Sequence, residues 1–294
     1  MKKWFALLLT AALVAGCQRA SIGDMDDEME QESVTKTKKF TFTVKGDFGE
    51  PTFTAKRRAY MTADGQDMTD LWVFDFMGDE CVQTLHQVPT DEDWGALVMA
   101  LKYGSHHVYF VASRGDTPTV DEAEHTITWG TPRDTFWKDY EVNVVSTSNG
   151  NRAVTLDRVV TKLKVKFEDE VPTGCNEISV TPVEWYYGLN YVTGAPCDMK
   201  ANQPRTVSVP ESYVGTSGVV SVSIFGFSTA SEWATDVQVT SKNAAGETLG
   251  TATIKDAPFK SNRATEYSGF IFGSNGAVDV SLTDDWDDPI TGEW

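Results

Sequence analysis

The sequence holds little of what most enzymes and metal centres are built from. Its 294 residues include four histidines (His86, His106, His107 and His125) and four cysteines, and no HExxH, GxSxG or CxxC pattern. Zinc hydrolase, serine hydrolase and zinc-ribbon readings therefore have no motif to start from. A glycine-rich phosphate loop is missing as well. Basic residues are in the minority, 25 against 43 acidic ones for a net charge of −18, so bulk electrostatics oppose nucleic acid and anionic membrane surfaces as partners. Beyond the first sixteen residues there is no long apolar run. The one that exists, residues 5–13, is too short to span a bilayer. No catalytic residue, metal or cofactor is expected, and carboxylate pairs are too numerous for any one to stand out as an acid/base dyad.

What is present begins with an export signal. Lys2 and Lys3 precede the apolar run, and Val14, Ala15 and Gly16 form a small-residue approach to cleavage, so residues 1–16 read as a signal peptide. Cys17 follows immediately. VAGC resembles the bacterial lipobox, which implies lipid attachment to the Cys17 sulfur and anchorage by acyl chains. Residues 17–38 then form an acidic tether in which Asp24, Asp26, Asp27, Glu28, Glu30 and Glu32 repel one another. An acidic cluster soon after the lipidated cysteine resembles the export signal by which Bacteroidetes lipoproteins reach the outer face of the outer membrane.

Residues 39–59 open the folded part. Phe40, Phe42 and Val44 alternate with Thr41, Thr43 and Lys45, the period of a strand with one apolar face. Gly46, Gly49 and Pro51 interrupt it, and the dibasic pair Arg57-Arg58 suits a trypsin-like protease. Further strands are expected at 71–76, 81–85, 108–112, 125–129 and 141–146. One helix is expected between them: Thr90 or Asp91 as cap, Trp94, Leu97, Val98 and Leu101 at helical spacing, and Gly104 as stop. A polar linker at 146–152 with an Asn149-Gly150 turn leads to a domain boundary near Asp157. Leu163, Val165 and Phe167 then alternate with Lys162, Lys164 and Lys166. Short strand patterns continue at 178–187, 206–209, 219–227, 237–240, 251–255, 265–272 and 277–282, with nothing to supply crossover helices. The expected fold is all-β: two tandem β-sandwich domains, 39–157 and 158–294, with a short helix in the first. Excluding Cys17 leaves Cys81, Cys175 and Cys197, an odd number; Cys175 and Cys197 can form one bridge, and Cys81 reads as a small buried hydrophobe.

Taken in order, these pieces resemble the fimbrillins, subunits of the lipoprotein-derived pili of Bacteroidales. The resemblance covers most of the chain: lipobox, acidic tether, a strand before a basic site and Ala59-Tyr60, then TDLWVFDFMG, LDRVVTKLKVKFE and SNRATEYSGFIFG before a final strand and a terminal Trp294. It implies two transthyretin-like β-sandwiches, passage through the outer membrane as a lipoprotein, and cutting by an arginine-specific protease after Arg58, or alternatively Arg57. The cut removes the lipid at Cys17 and the strand of Phe40, Phe42 and Val44. The vacated groove then accepts a strand from another pilus subunit, the donor mapping to Val278, Val280, Leu282 and Trp286. The implied sites are the cell surface and then the fimbrium, in support of cell adhesion.

The end of the chain departs from that pattern. Asp284, Asp285, Asp287 and Asp288 surround Trp286 and Pro289 follows, poor material for a long central strand. A tip or anchor subunit that does not polymerise is therefore an alternative. A surface glycan-binding lipoprotein is another, because Trp185, Tyr186, Tyr187 and Tyr191 cluster around Gly188 and Asn190, and such rings either stack on sugars or pack between sheets. The pair His106-His107 precedes a strand, points to opposite faces by alternation, and reads as solvated.

Overall fold

Apolar side chains recur at every second position through most of the chain, and the chain folds into strands accordingly. The computed structural model describes residues 36–46, 68–272 and 278–284. In the first half lie β1 (Thr37–Gly46), β2 (Asp70–Met77), β3 (Glu80–Gln87), β4 (Ala96–Lys102), β5 (Gly104–Ser113), β6 (Thr119–Asp121), β7 (Thr126–Thr128), β8 (Thr135–Val144) and β9 (Asn151–Arg158). The second half holds β10 (Val160–Phe167), β11 (Cys175–Pro182), β12 (Glu184–Asn190), β13 (Pro196–Ala201), β14 (Arg205–Ser208), β15 (Val220–Phe227), β16 (Trp233–Asn243), β17 (Thr248–Phe259), β18 (Arg263–Gly269) and β19 (Val278–Asp284), with a 3-10 turn at Glu211–Tyr213.

Two β-sandwiches result. In the first, a β3-β2-β5-β8 layer and a β4-β1-β9 layer enclose one core, linked where β8 meets β9 at Phe136↔Arg158 and Trp137↔Asp157. In the second, β19-β18-β10-β15 faces β14-β11-β16-β17 across a core that includes Leu163, Ile178, Val239 and Phe259. The sandwiches are not independent beads. After β5 the chain crosses to the second sheet, where β7 pairs with β12, and then returns as β8. A third apolar core fills the seam, with Phe74 and Val111 from the first sandwich against Tyr191 and Phe227 from the second. The rings of Phe74 and Tyr191 stack at 3.8 Å. This seam explains why LWVFDF is apolar on both faces: Leu71 and Val73 enter the sandwich core, while Phe74 and Phe76 enter the seam.

Among the described residues there is no α-helix, and the helix expected from Thr90 or Asp91 to Gly104 is overturned. Trp94, Leu97, Val98 and Leu101 fit helical spacing, but Leu97, Met99 and Leu101 also fit a period of two, and pairing with β1 selects the strand β4. Leu97, Met99 and Leu101 are buried and Val98 is exposed. Asp91 turns the chain rather than capping a helix: its carboxylate accepts the Val88 N–H at 2.8 Å. Gly95, at φ +73°, then reverses the backbone into β4. The possible Cys175–Cys197 bridge is also absent, because both thiols and Cys81 are free. Cys175 starts β11 in one layer and Cys197 lies on β13 in the opposite sheet.

Candidate functional site

The segment of Phe40, Phe42 and Val44 forms β1, which lies inside its sheet rather than at the edge. It runs antiparallel to β4, with Phe40 opposite Met99 and Phe42 opposite Leu97, and parallel to β9, with Val44 opposite Val154. β4 ends the sheet order, so β1 is its only sheet partner there. The alternation seen in the sequence accounts for the burial: Phe40 and Phe42 are wholly buried and Val44 is 2% exposed. Phe42 packs against Phe110 at 5.5 Å and edge-on against Tyr140 at 5.8 Å, while the Arg152 guanidinium covers Phe40 at 5.3 Å. Burial of each such large side chain stabilises by about 1.5–3 kcal/mol.

Backbone contacts beyond the ladders hold both ends of β1. Thr41 N–H donates to the Gly150 carbonyl at 2.7 Å and Val44 N–H to the Gly95 carbonyl at 3.0 Å, while the Lys36 carbonyl accepts Tyr103 N–H at 2.9 Å. Lys38 Nζ adds a bond to the Ser146 carbonyl at 2.6 Å. The polar linker at 146–152 thus serves as a clasp over β1 as well as a turn.

Cys17, Arg57, Arg58 and Trp286 lie outside the described residues, as do the signal peptide and nearly all of the tether. Val278, Val280 and Leu282 lie on β19, which pairs antiparallel with the chain's own β18 at the sheet edge: Val278 is opposite Gly269, Val280 opposite Tyr267 and Leu282 opposite Thr265. Strand β1 and strand β19 thus sit in different sandwiches.

The aromatic cluster is divided by the fold. Trp185 is buried, donates its indole N–H to the Phe225 carbonyl at 2.9 Å and packs on Phe259, and Tyr191 is buried in the seam. Tyr186 packs edge-on against Trp233 at 5.7 Å. Tyr187 alone of the four lines an open cleft of about 200 Å³, shared with Arg133, Lys200 and Arg205. Sequence reading could not assemble those three cations, which come from the approach to β8, from β13 and from β14.

The histidine pair is also divided, and the solvated reading fails for His106. Its ring is buried, with Nδ1 2.7 Å from Asp75 Oδ1 and Nε2 2.9 Å from the Lys102 carbonyl. Burial pulls its pKa down, but the hydrogen bond and charge of Asp75 together with the Lys102 carbonyl prevail and raise it above 6.5. His107 faces the other way and meets Asp139 at 3.0 Å. With Glu141 these two bring ligand atoms within 4.8 Å of one another, a half-exposed group that the His107–Asp139 hydrogen bond accounts for without an ion.

No protein-family model matches the chain, and no curated protein matches it. Among solved structures, a candidate adhesin from Bacteroides thetaiotaomicron aligns over 86% of this chain and 98% of its own, at 11% identity and a TM-score of 0.51. A candidate polysaccharide-binding protein from the same species aligns over 85% of this chain and 99% of its own, at 11% identity and a TM-score of 0.50. The tip fimbrial protein Mfa3 of Porphyromonas gingivalis, with its C terminus truncated, aligns over 84% of this chain and 100% of its own, at 15% identity and a TM-score of 0.46. At these identities the likeness to the two Bacteroides proteins is one of fold, and it spans both sandwiches of the chain.

Proposed function

We propose that the chain is a fimbrillin-type subunit of a surface fibre: exported as a lipoprotein on Cys17, cut after Arg58 or Arg57 by an arginine-specific protease, and activated by the loss of β1. One observation carries this reading. The strand that lies innermost in its layer, with both Phe40 and Phe42 wholly buried, is joined to the rest of the chain through residues 47–67, which contain the dibasic pair. Release of β1 turns β4 and β9 into facing open edges above an apolar trough that includes Leu97, Met99 and Val154. Two unpaired edges over an apolar floor favour capture of another strand. The incoming strand must run antiparallel to β4 and parallel to β9, with apolar residues at every second position. That a candidate adhesin and a candidate polysaccharide-binding protein share the fold supports a role in adhesion.

The candidate donor, Val278, Val280 and Leu282 with Trp286, alternates as a donor should. Its seven-residue ladder on β18 must open before it can be given away. That pairing favours a second reading, a subunit at a fibre end that accepts a strand and keeps its own. Mixing protease-treated chain with a synthetic peptide of residues 277–286 separates the two. A stalk subunit is captured into ladders on non-denaturing gels, and the peptide competes with them; an end subunit gives no ladder alone but accepts strands from other subunits. An Arg57→Ala, Arg58→Ala double variant that assembles as fully as the unaltered chain would defeat both.

A further inference from the structure

A cleft between the sandwiches, apart from β1 and β19, has the chemistry of a binding site. It forms where residues 130–133, on the way from β7 to β8, lie over β12 to β15 of the second sandwich. Clefts at such junctions are where small ligands tend to bind. Three cations line it, Arg133, Lys200 and Arg205, in a chain whose acids outnumber its bases by 43 to 25. No acidic residue is among its lining residues. Among the described residues the ion pair made by this trio is Lys200 Nζ to Asp198 Oδ2, at 3.1 Å.

Arg133 and Arg205 line the same cleft, and burial first, then the charge of Arg205, lowers the pKa of Arg133, with Asp116 acting the other way. Holding two like charges together in a half-buried place is unfavourable until an anion enters between them. Planar guanidiniums bind carboxylate, sulfate and phosphate oxygens in pairs. The remaining walls are neutral and hydrogen-bonding, with Thr131, Gln203 and Ser223 supplying hydroxyl and amide groups. The volume, about 200 Å³, lies below the about 300–1,000 Å³ typical of sites for drug-sized ligands and suits one sugar-sized body. The face of Tyr187 carries the Lys200 ammonium, 4.5 Å from its centre, so ring stacking is not what the cleft offers.

We propose that this cleft binds an acidic sugar unit, its carboxylate or sulfate held by Arg133, Arg205 and Lys200 and its hydroxyls by Thr131, Gln203 and Ser223. The proposal is independent of how the chain assembles, and its test uses the uncut chain. Titration calorimetry with D-glucuronic acid and with N-acetylglucosamine 6-sulfate tells carboxylate from sulfate recognition, with D-glucose and inorganic sulfate as comparators. The expected result is saturable binding of at least one acidic sugar, weakened at least about tenfold by Arg205→Gln and by Arg133→Gln, the loss of one charged hydrogen bond. Binding should also weaken as sodium chloride is raised. Thermal melts establish that each variant is folded; should Arg133→Gln fail there, Lys200→Gln takes its place. Failure of both acidic sugars to bind, binding of glucose as tight as theirs, or an unchanged affinity in folded Arg205→Gln would overturn the proposal. Inorganic sulfate bound as tightly as the sulfated sugar would also overturn it, since the sugar body would then contribute nothing.

Discussion

Thr41 and Gly150 meet backbone to backbone, the Thr41 N–H donating to the Gly150 carbonyl at 2.7 Å. A β carbon added at Gly150 would lie 2.4 Å from the Lys39 carbonyl oxygen, so the linker can approach β1 this closely only without a side chain. Gly150→Ala should therefore destabilise the chain by about 1–3 kcal/mol, the usual cost of overpacking, and should do so by loosening β1. Hydrogen exchange at the Thr41 amide is expected to quicken more than exchange in β16. Gly130→Ala, where an added β carbon meets nothing within 4 Å, should leave both stability and exchange unchanged.

Arg158 ties the sandwiches together. It closes β9, pairs with Asp134 at 2.8 Å in a place where both side chains are buried, and reaches Asn262 beside β18 at 2.9 Å. Its guanidinium also covers Phe136 at 4.9 Å. Arg158→Ala leaves Asp134 buried without this partner, which costs about 3–5 kcal/mol. Calorimetry of the unaltered chain should show one unfolding transition, because the seam couples the two cores. The variant should show two, as the first sandwich melts ahead of the second.

Much of this was legible in the sequence, and the exceptions share a cause. The period of two at Phe40, Phe42 and Val44 and at Leu163, Val165 and Phe167 places buried faces on β1 and β10, because a strand's alternation is local. The stretch around Leu97 and Leu101 satisfies two periods at once, and only the distant β1 decides between them. Lys162 sits at a position alternation assigns to the polar face of β10, yet it is buried at the seam, over the Phe225 ring, while His106 falls in step with Val108 and Phe110 and is buried on their side of β5. The Arg133–Arg205 cleft joins residues about 70 apart on different strands, and no spacing rule anticipates such a meeting.

His106 makes stability depend on pH in a definite sense. Its folded pKa is raised above 6.5, so the folded chain holds the proton more tightly than the unfolded one. The added stability is fully present below about pH 6.5, the unfolded value, and is lost as pH rises through the folded pKa. Urea midpoints measured from pH 5.5 to 7.5, below the range in which Lys162 titrates, should fall with rising pH in the unaltered chain. His106→Gln should be less stable at pH 5.5 and should show a flatter profile over the same range.

Lys162 acts in the opposite sense. It is buried at the edge of the seam with its ammonium 5.4 Å from the centre of the Phe225 ring, and burial, followed by repulsion from Lys164, lowers its pKa to about 8. The unfolded chain therefore holds the proton more tightly between about pH 8 and 10.5, and stability attributable to this group rises with pH across that window. Cys175 and Cys197, with pKa values raised above 9 by burial, and Tyr109, Tyr187, Tyr191 and Tyr267, raised above 10, lower stability as pH rises, so the Lys162 contribution is read between pH 8 and 9.5 as the difference between the unaltered chain and a Lys162 variant. Lys162→Met keeps the apolar stem and removes the charge. It should raise the unfolding free energy at pH 7 by on the order of 1–3 kcal/mol, and that excess over the unaltered chain should shrink between pH 8 and 9.5. A variant less stable than the unaltered chain at pH 7 would mean that the ammonium's polar contacts outweigh the cost of burying it.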